Sequence, residues 1–310
     1  MNTAPHLSVI IPTHNPDAGR LARTLGGLQA QTLPAAQWET LLVDNASTVP
    51  VVLADGHAPA NARVITEPRL GLTQARRHGF AAARGDIIVL VDDDNVLAPD
   101  YLAQVLAFFA AQPRAGALGG RSIAEFAQAP AAWWQSEFDG LIACRDLGPT
   151  PLSASGAQEY PACAPIGAGM ALRRTAVQAW LDDPAAAVLS DRRGSELTSG
   201  GDNDIILTVL RAGWSVAYSP ALAITHLIPA GRVERDYLAR LNRGIAKSWM
   251  QVLHKHGLNP WPPVAPWTVP LRQAKAWLTH RAWSGPAAFI RWQGACGHFD
   301  GLASRPHRPS

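Results

Sequence analysis

Cysteine is scarce in this chain of 310 residues. There are three, at Cys144, Cys163 and Cys296, an odd number with no C-x-x-C spacing. That argues against a disulfide framework and a paired-cysteine zinc site, and it points to a reducing compartment. Long apolar runs are also missing: no stretch of 18 apolar residues occurs, so no membrane-spanning helix is expected. The opening MNTAPHLSVIIP has no basic n-region and only a short apolar stretch, which predicts no secretory signal. Three chemical signatures are absent as well. The first strand–helix turn reads PTHNPDAGR instead of G-x-G-x-x-G; no G-x-x-x-x-G-K-[ST] occurs; no G-x-S-x-G occurs. Dinucleotide binding, P-loop chemistry and the nucleophile elbow of serine hydrolases therefore lose their support.

What is present is globular. The chain is 47% hydrophobic and 16% charged, and its length suffices for one large α/β domain with an appendage. The net charge of +3 conceals an asymmetry. Residues 1–231 carry 15 Lys/Arg and 21 Asp/Glu, whereas residues 232–310 carry 12 and 3. Six of the 11 tryptophans lie from Trp249 onward. A basic, tryptophan-rich end suits an anionic membrane surface. No nucleic-acid-binding motif accompanies the charge, so no nucleic-acid partner is expected.

Aliphatic runs alternate with helical periodicity. LSVIIPT (7–13), WETLLVDNAS (38–47), ARVITE (62–67) and DIIVLVDDD (86–94) read as strands. Between and after them, 18–31, 72–85 and 99–112 read as helices. Such alternation predicts a mostly parallel sheet covered on both faces, with ligands beyond the carboxyl ends of the strands. Thr13, Asp44 and Asp92 to Asp94 fall at those ends. Further on, 129–141 reads as a short helix with an aromatic patch, 163–174 as a glycine-rich turn into a strand and helix, and 200–213 as a helix with two acids at its start. WSVAYSPALAITHLIP (214–229) reads as two short strands, 234–257 as helical, and NPWPPVAPWTVP (259–270) as a proline-rich linker.

VLVDDDNV stacks three carboxylates where a strand leaves the core. Such charges repel unless water screens them or a cation sits there. Divalent Mg or Mn prefers carboxylate oxygen and keeps substrate phosphates in its shell, and an acidic strand-end turn supplies that arrangement.

Five segments, SVIIPTHN, LLVDNAS, GLTQARRHGFAAARGDIIVLVDDDN, GAGMALRR and GGDNDIILTVLRAGWSVAYSPALAITH, occur in this order. Together they resemble the family-2 glycosyltransferases of the GT-A fold, over roughly residues 7–230. The resemblance implies a Rossmann-like nucleotide-diphospho-sugar transferase fold over 1–231. Nucleotide-sugar binding would occupy about 7–122 and the acceptor part about 123–231, with a helical extension at 232–310. It implies a nucleoside-diphosphate sugar donor, a divalent metal, a glycan or lipid-linked acceptor, and inversion at the anomeric carbon. By position, Pro12, Thr13 and Asn15 line the nucleotide pocket. Asp44 contacts base or ribose, and Arg76 lies near the donor. Asp92 and Asp94 match the ends of the D-x-D motif, which implies Asp94 as a direct metal ligand with Asp92 beside it, and Asp92 or Asp93 as the residue that holds ribose or sugar hydroxyls. His226 completes the metal site. Asp202 is the general base, with Asp204 able to share the role.

The chain departs from the family at Gly201, where glutamate is common. Trp133 and Trp134 offer apolar faces for sugar stacking or for core packing. Gly167 and Gly169 allow close approach of an acceptor or make an ordinary turn. The expected enzyme is a cytoplasmic transferase of bacterial surface-glycan synthesis, peripheral at the inner face of the plasma membrane if the basic end attaches there. Two rivals are weighed against it. A sugar nucleotidyltransferase would carry a glycine-rich signature with Arg and Lys after the first strand. An inactive carbohydrate-binding scaffold is kept alive by Gly201 and opposed by Asp94, Asp202 and His226.

Overall fold

The structure, a computed structural model, describes residues 5–53, 56–184 and 197–304. The first four residues of the segment read for a secretory signal lie outside the described residues. Nine strands form one sheet: β1 Leu7–Thr13, β2 Trp38–Asn45, β3 Ala62–Glu67, β4 Ile87–Leu90, β5 Asn95–Leu97, β6 Ala115–Phe126, β7 Leu152–Ser155, β8 Ala171–Arg173 and β9 Ser215–Ile228. The order is β3-β2-β1-β4-β8-β6-β9-β5, with β7 also paired to β9. The first four strands are parallel, as their unbroken aliphatic runs require when both faces are buried. β8 runs against both β4 and β6, while β6 and β9 are parallel to each other.

Side chains alternate across the sheet. Val9, Ile11, Leu42 and Val89 join one apolar layer; Ile10, Leu41, Val43 and Ile88 join the other. The first layer is covered by α1 (Ala18–Gln29) and α3 (Tyr101–Ala111), and the second by α2 (Leu72–Ala82), α4 (Arg174–Asp182) and α5 (Gly201–Arg211). Helix α1 begins at Asp17, whose carboxylate accepts from the Arg20 amide at 2.9 Å.

One correction concerns β9. The sequence suggests two short strands over 214–229, but the chain forms a single strand of 14 residues. Its register with β6 slips between Gly119 and Arg121, opposite the Pro220 region, and then resumes as far as Phe126 and Ile228. A proline lacks an N–H for the ladder and is accommodated at such an irregularity. Gly120 belongs there: a Cβ on it would stand 2.1 Å from the Leu222 carbonyl oxygen. β7 pairs the first half of β9 and β5 the second, which carries His226. The segment read as a short helix at 129–141 is a 3-10 helix at Ser136–Ile142.

The C-terminal helices are α6 (Arg235–Lys255), α7 (Val269–Thr279) and α8 (Pro286–Ala303). Helix α8 lies directly against α6 through Gly294, Gly297 and Gly301, one face by spacing. A Cβ on Gly297 would be 2.1 Å from the Arg243 carbonyl oxygen. The pair also packs on the rest of the chain: Val233, Leu238 and Ile290 share an apolar cluster with Phe138, Ile142 and Ile228. Arg291 reinforces this by pairing with Glu137 at 2.7 Å.

The C-terminal tryptophans divide. Trp277 and Trp292 meet edge to face at 4.7 Å between ring centres, and Trp292 Nε1 donates to the Gln273 carbonyl. Trp267, Leu271, Leu278 and Trp283 remain 78%, 69%, 65% and 59% exposed.

Candidate active site

A cleft of about 280 Å³ opens at the carboxyl ends of β1, β2 and β4. It gathers Pro12, Thr13, Arg76, Asp92, Asp93, Asp94, Gly167, Asp202 and His226, which come from six separate stretches of sequence.

The acidic turn links β4 to β5. Asn95 closes it: its amide donates to the Asp92 carbonyl at 3.0 Å, and its side-chain oxygen accepts from the Asp92 amide at 3.2 Å. β5 pairs with β9 so that Asn95 is opposite His226, which brings Asp94 beside that ring. His226 Nε2 is 3.3 Å from Asp94 Oδ1, and both side chains are buried. Asp94 Oδ1 also accepts from Asn95 Nδ2 at 3.1 Å. Burial pushes the Asp93 carboxyl up to about 6; the Thr13 hydroxyl, donating to it, opposes the shift, and the charges of Asp94 and Asp92 add to it. Burial also pushes the Cys144 thiol to about 12, so a neutral thiol lies 3.9 Å from His226 Nδ1.

Asp202 occupies the first turn of α5, where the helix dipole favours a negative charge. The Gly167 amide donates to its Oδ2 at 3.0 Å. A Cβ on Gly167 would stand 2.7 Å from Arg76 Nη2 and 3.4 Å from Asp202 Oδ2. Glycine at this position therefore lets Arg76 and Asp202 both close on one turn of backbone.

The residues suit a divalent ion in part. Asp94 and His226 offer an oxygen and a nitrogen side by side, with Asp92 on the same cleft wall. No group of three His, Cys, Asp or Glu able to hold a metal is present among the described residues.

Other expected residues stand elsewhere. Asp44 is buried and caps the next loop, accepting from the amides of Ser47 at 3.2 Å and Val51 at 3.0 Å. Burial alone would raise its carboxyl, but bonds from Ser47 and Val51 hold it below the usual range. Asn15, at φ 48°, accepts from the Thr48 amide at 2.8 Å. Gly169 has φ 76°, a turn conformation that favours glycine. Trp133 and Trp134 pack against Phe138 within the cluster shared with α6 and α8, and Trp134 Nε1 donates to Asp139.

Asp204 is fully buried between helices. It accepts from Trp180 Nε1 at 2.9 Å and Lys255 Nζ at 2.8 Å and lies 2.7 Å from His256 Nε2.

Among the cleft residues that the sequence reading did not assign are two polar ones, Asn45 and Arg232. Asn45 lines the floor and ties the strand end to the next loop, donating to the carbonyls of Glu67 and Arg69 and accepting from the Gly71 amide. Arg232, on a 3-10 turn at Ala230–Val233, places Nη1 3.2 Å from Asp94 Oδ2 and 3.4 Å from His226 Nε2. The signal for it was a lone cation six residues after His226.

A family model described as "Glycosyl transferase family 2" matches residues 8–180. The chain belongs to glycosyl transferase family 2. The match covers the acidic turn and stops before Asp202, His226 and Arg232. Among curated relatives, the chain is 34% identical over 118 residues to "O-antigen biosynthesis protein RfbC" of Myxococcus xanthus, covering 36% of this chain and 9% of the relative. It is 24% identical over 237 residues to an "N-acetylglucosaminyltransferase" of Bradyrhizobium diazoefficiens, covering 73% of this chain and 45% of the relative. The matched part thus spans less than half of these relatives' own length. The family-2 fold also aligns with a solved structure, "Crystal structure of S. aureus TarS 1-349", at 13% identity and TM-score 0.50, over 94% of this chain and 89% of that one. That likeness concerns the fold.

Proposed function

We propose that the chain is an inverting glycosyltransferase that moves a sugar from a nucleoside-diphosphate sugar to an acceptor hydroxyl. One observation carries the reading: a single cleft at the strand ends unites the acidic turn and His226 with Asp202, a carboxylate from a different element. An acceptor hydroxyl is a weak nucleophile, and Asp202 takes its proton as the new bond forms. The Gly167 amide donates to Asp202 and orients it for this task. Asp94 and His226, with Asp92, would hold Mg or Mn, which when bound supplies positive charge against the leaving diphosphate. Pro12, Thr13 and Arg76 shape the donor side, and Asp92 and Asp93 hold donor hydroxyls. One displacement with one base inverts the anomeric carbon. The catalytic unit is 1–231 and the extension 232–310.

The acceptor is a glycan or lipid-linked saccharide of surface-polysaccharide or glycoconjugate synthesis, which the names of the relatives support. The test is donor turnover. Purified protein is offered UDP-, dTDP- and GDP-sugars with Mn or Mg, and nucleoside diphosphate release is followed. Release that needs metal and one donor class supports the reading; no release from any donor, with or without saccharide acceptor, counts for a non-catalytic scaffold.

A cytoplasmic location in peripheral contact with anionic membrane belongs to the same proposal. No helix of the described residues is long and apolar enough to cross a membrane. Leu271 and Leu278 recur at helical spacing along α7, Trp267 lies on the 3-10 turn just before it, and all three are exposed. Between Asp236 and Asp300 the sequence holds eight Lys/Arg and no acid. This combination suits insertion of apolar side chains among anionic headgroups. Sedimentation with phosphatidylglycerol-containing vesicles is expected to fall about tenfold or more in a W267S/L271S double variant, and to weaken with salt. Equal sedimentation of wild type and variant would remove α7 from the contact.

A further inference from the structure

Arg232 is a cleft residue that the family resemblance did not assign, and it touches two of the assigned ones, Asp94 and His226. Its side chain is 25% exposed, while Asp94 and His226 are 4% and 3% exposed. A buried carboxylate needs a cationic or hydrogen-bonding partner on each face. Asp94 Oδ1 has Asn95 and His226, and Oδ2 has Arg232. The guanidinium therefore occupies the side of Asp94 next to His226 where a divalent ion sharing those two residues would bind.

We propose that Arg232 is an exchangeable resident cation of this site. It competes with a divalent ion for Asp94, and it turns to the diphosphate once ion and diphosphate are both in the cleft. The inference rests on the glycosyltransferase reading above and adds a rule for how its ligands enter.

The physical case is one of charge order. A divalent ion bound to Asp94 and His226 without a diphosphate would stand beside the guanidinium, and like charges a few ångströms apart in a partly desolvated cleft repel strongly. A diphosphate entering without the ion would face the carboxylates of the acidic turn. Arriving together, the ion takes Asp94, and the diphosphate offers the released guanidinium a better partner. Arginine suits that second role because its planar fork can present two donors to phosphate oxygens. The position also permits the exchange. Arg232 lies on a four-residue turn between β9 and α6, so a change of partner needs a side-chain swing and no movement of the sheet. Metal and diphosphate are thereby coupled, and by linkage each raises the affinity for the other by the same factor.

The test measures binding and requires no turnover. Mn alone, and Mn with inorganic pyrophosphate, are titrated into the full-length wild type, R232Q and R232K by calorimetry, with melting curves confirming the fold of each. R232Q removes the competing charge, so it is expected to bind Mn alone about fivefold or more tightly than wild type. It is expected to bind Mn-pyrophosphate about tenfold more weakly. R232K keeps a point charge without the fork: Mn alone stays as weak as in wild type, while Mn-pyrophosphate weakens severalfold.

Equal Mn affinity in wild type and R232Q overturns the competition. Unchanged Mn-pyrophosphate affinity in R232K, which also decides the case if R232Q does not fold, overturns the role at the diphosphate. If wild type and both variants all fail to bind Mn-pyrophosphate while remaining folded, the reading of the cleft as a diphosphate site fails, and this proposal with it.

Discussion

Asp94→Ala is expected to reduce sugar transfer by about 10²–10³-fold, the scale seen when a group that stabilises developing transition-state charge is removed. The reason lies in its position. Asp94 is the buried member of the acidic turn, contacts His226, and is held by Asn95 and Arg232. The other two acids are set differently. Asp92 turns its backbone to Asn95, and Asp93 accepts from Thr13 and titrates near 6. Neither has its carboxylate beside the His226 ring in the way Asp94 has. Truncation at Asp94 also removes the carboxylate that contacts Arg232, so some loss of melting temperature is expected. The less disruptive Asp94→Asn separates the two effects: it keeps the shape and loses the charge. Calorimetry with UDP or dTDP, with and without Mn, gives the decisive reading. Both variants are expected to lose the metal-dependent part of nucleotide binding. Unchanged metal dependence in folded Asp94→Asn would refute Asp94 as the metal ligand.

How much of this could be read in advance depends on what kind of signal each residue leaves. The parallel strands were legible because burial on both faces demands unbroken aliphatic runs, and β1, β2 and β4 have them. The acidic turn was legible because three adjacent carboxylates are costly without a reason. Asp202 and His226 stood out only beside the ordered motifs, yet the fold brings both to the acidic turn across more than a hundred residues of sequence.

Other residues leave signals that do not separate two roles. A strand-end acid looks the same whether it faces a ligand or caps a loop, and Asp44 is bonded to the loop at Ser47 and Val51. Paired tryptophans look the same in a sugar site and in a packing cluster, and Trp133 and Trp134 pack against Phe138. The C-terminal tryptophans divide because Trp277 and Trp292 face each other across α7 and α8, whereas Trp267 and Trp283 face outward. Spacing within one helix cannot reveal its partner. Arg232 left only the weak signal of a cation near His226, for a related reason: its meaning comes from the pairing of β9 with β5, which brings the end of β9 to the acidic turn.

Asp202→Asn and Asp204→Asn are expected to have opposite effects, and helix geometry is the cause. Two residues along an α-helix are about 200° apart around the axis, so these carboxylates cannot face the same cleft. Asp202 lines the cleft and accepts from the Gly167 amide. Asp204 points into the molecule, where Trp180, Lys255 and His256 surround it and bind α5 to α4 and to the end of α6. Burial by itself would raise the Asp204 carboxyl, but His256 and Lys255 outweigh it and hold it below the usual range. A carboxyl lowered on folding adds stability that is full above its unfolded value, about 3.9, and is lost as pH falls through the folded value. Asp204→Asn removes that contribution and leaves the Lys255 ammonium and the His256 ring facing a neutral amide, a loss of about 3–5 kcal/mol for breaking a buried pair. Asp202→Asn should leave the melting temperature close to wild type and donor affinity unchanged, while kcat falls by about 10²–10⁴-fold, the range for loss of a general base. The check is kcat, donor affinity and melting temperature measured together on both variants. If Asp202→Asn turns over normally while folded Asp204→Asn is inactive, the base is Asp204 and the cleft has been misread.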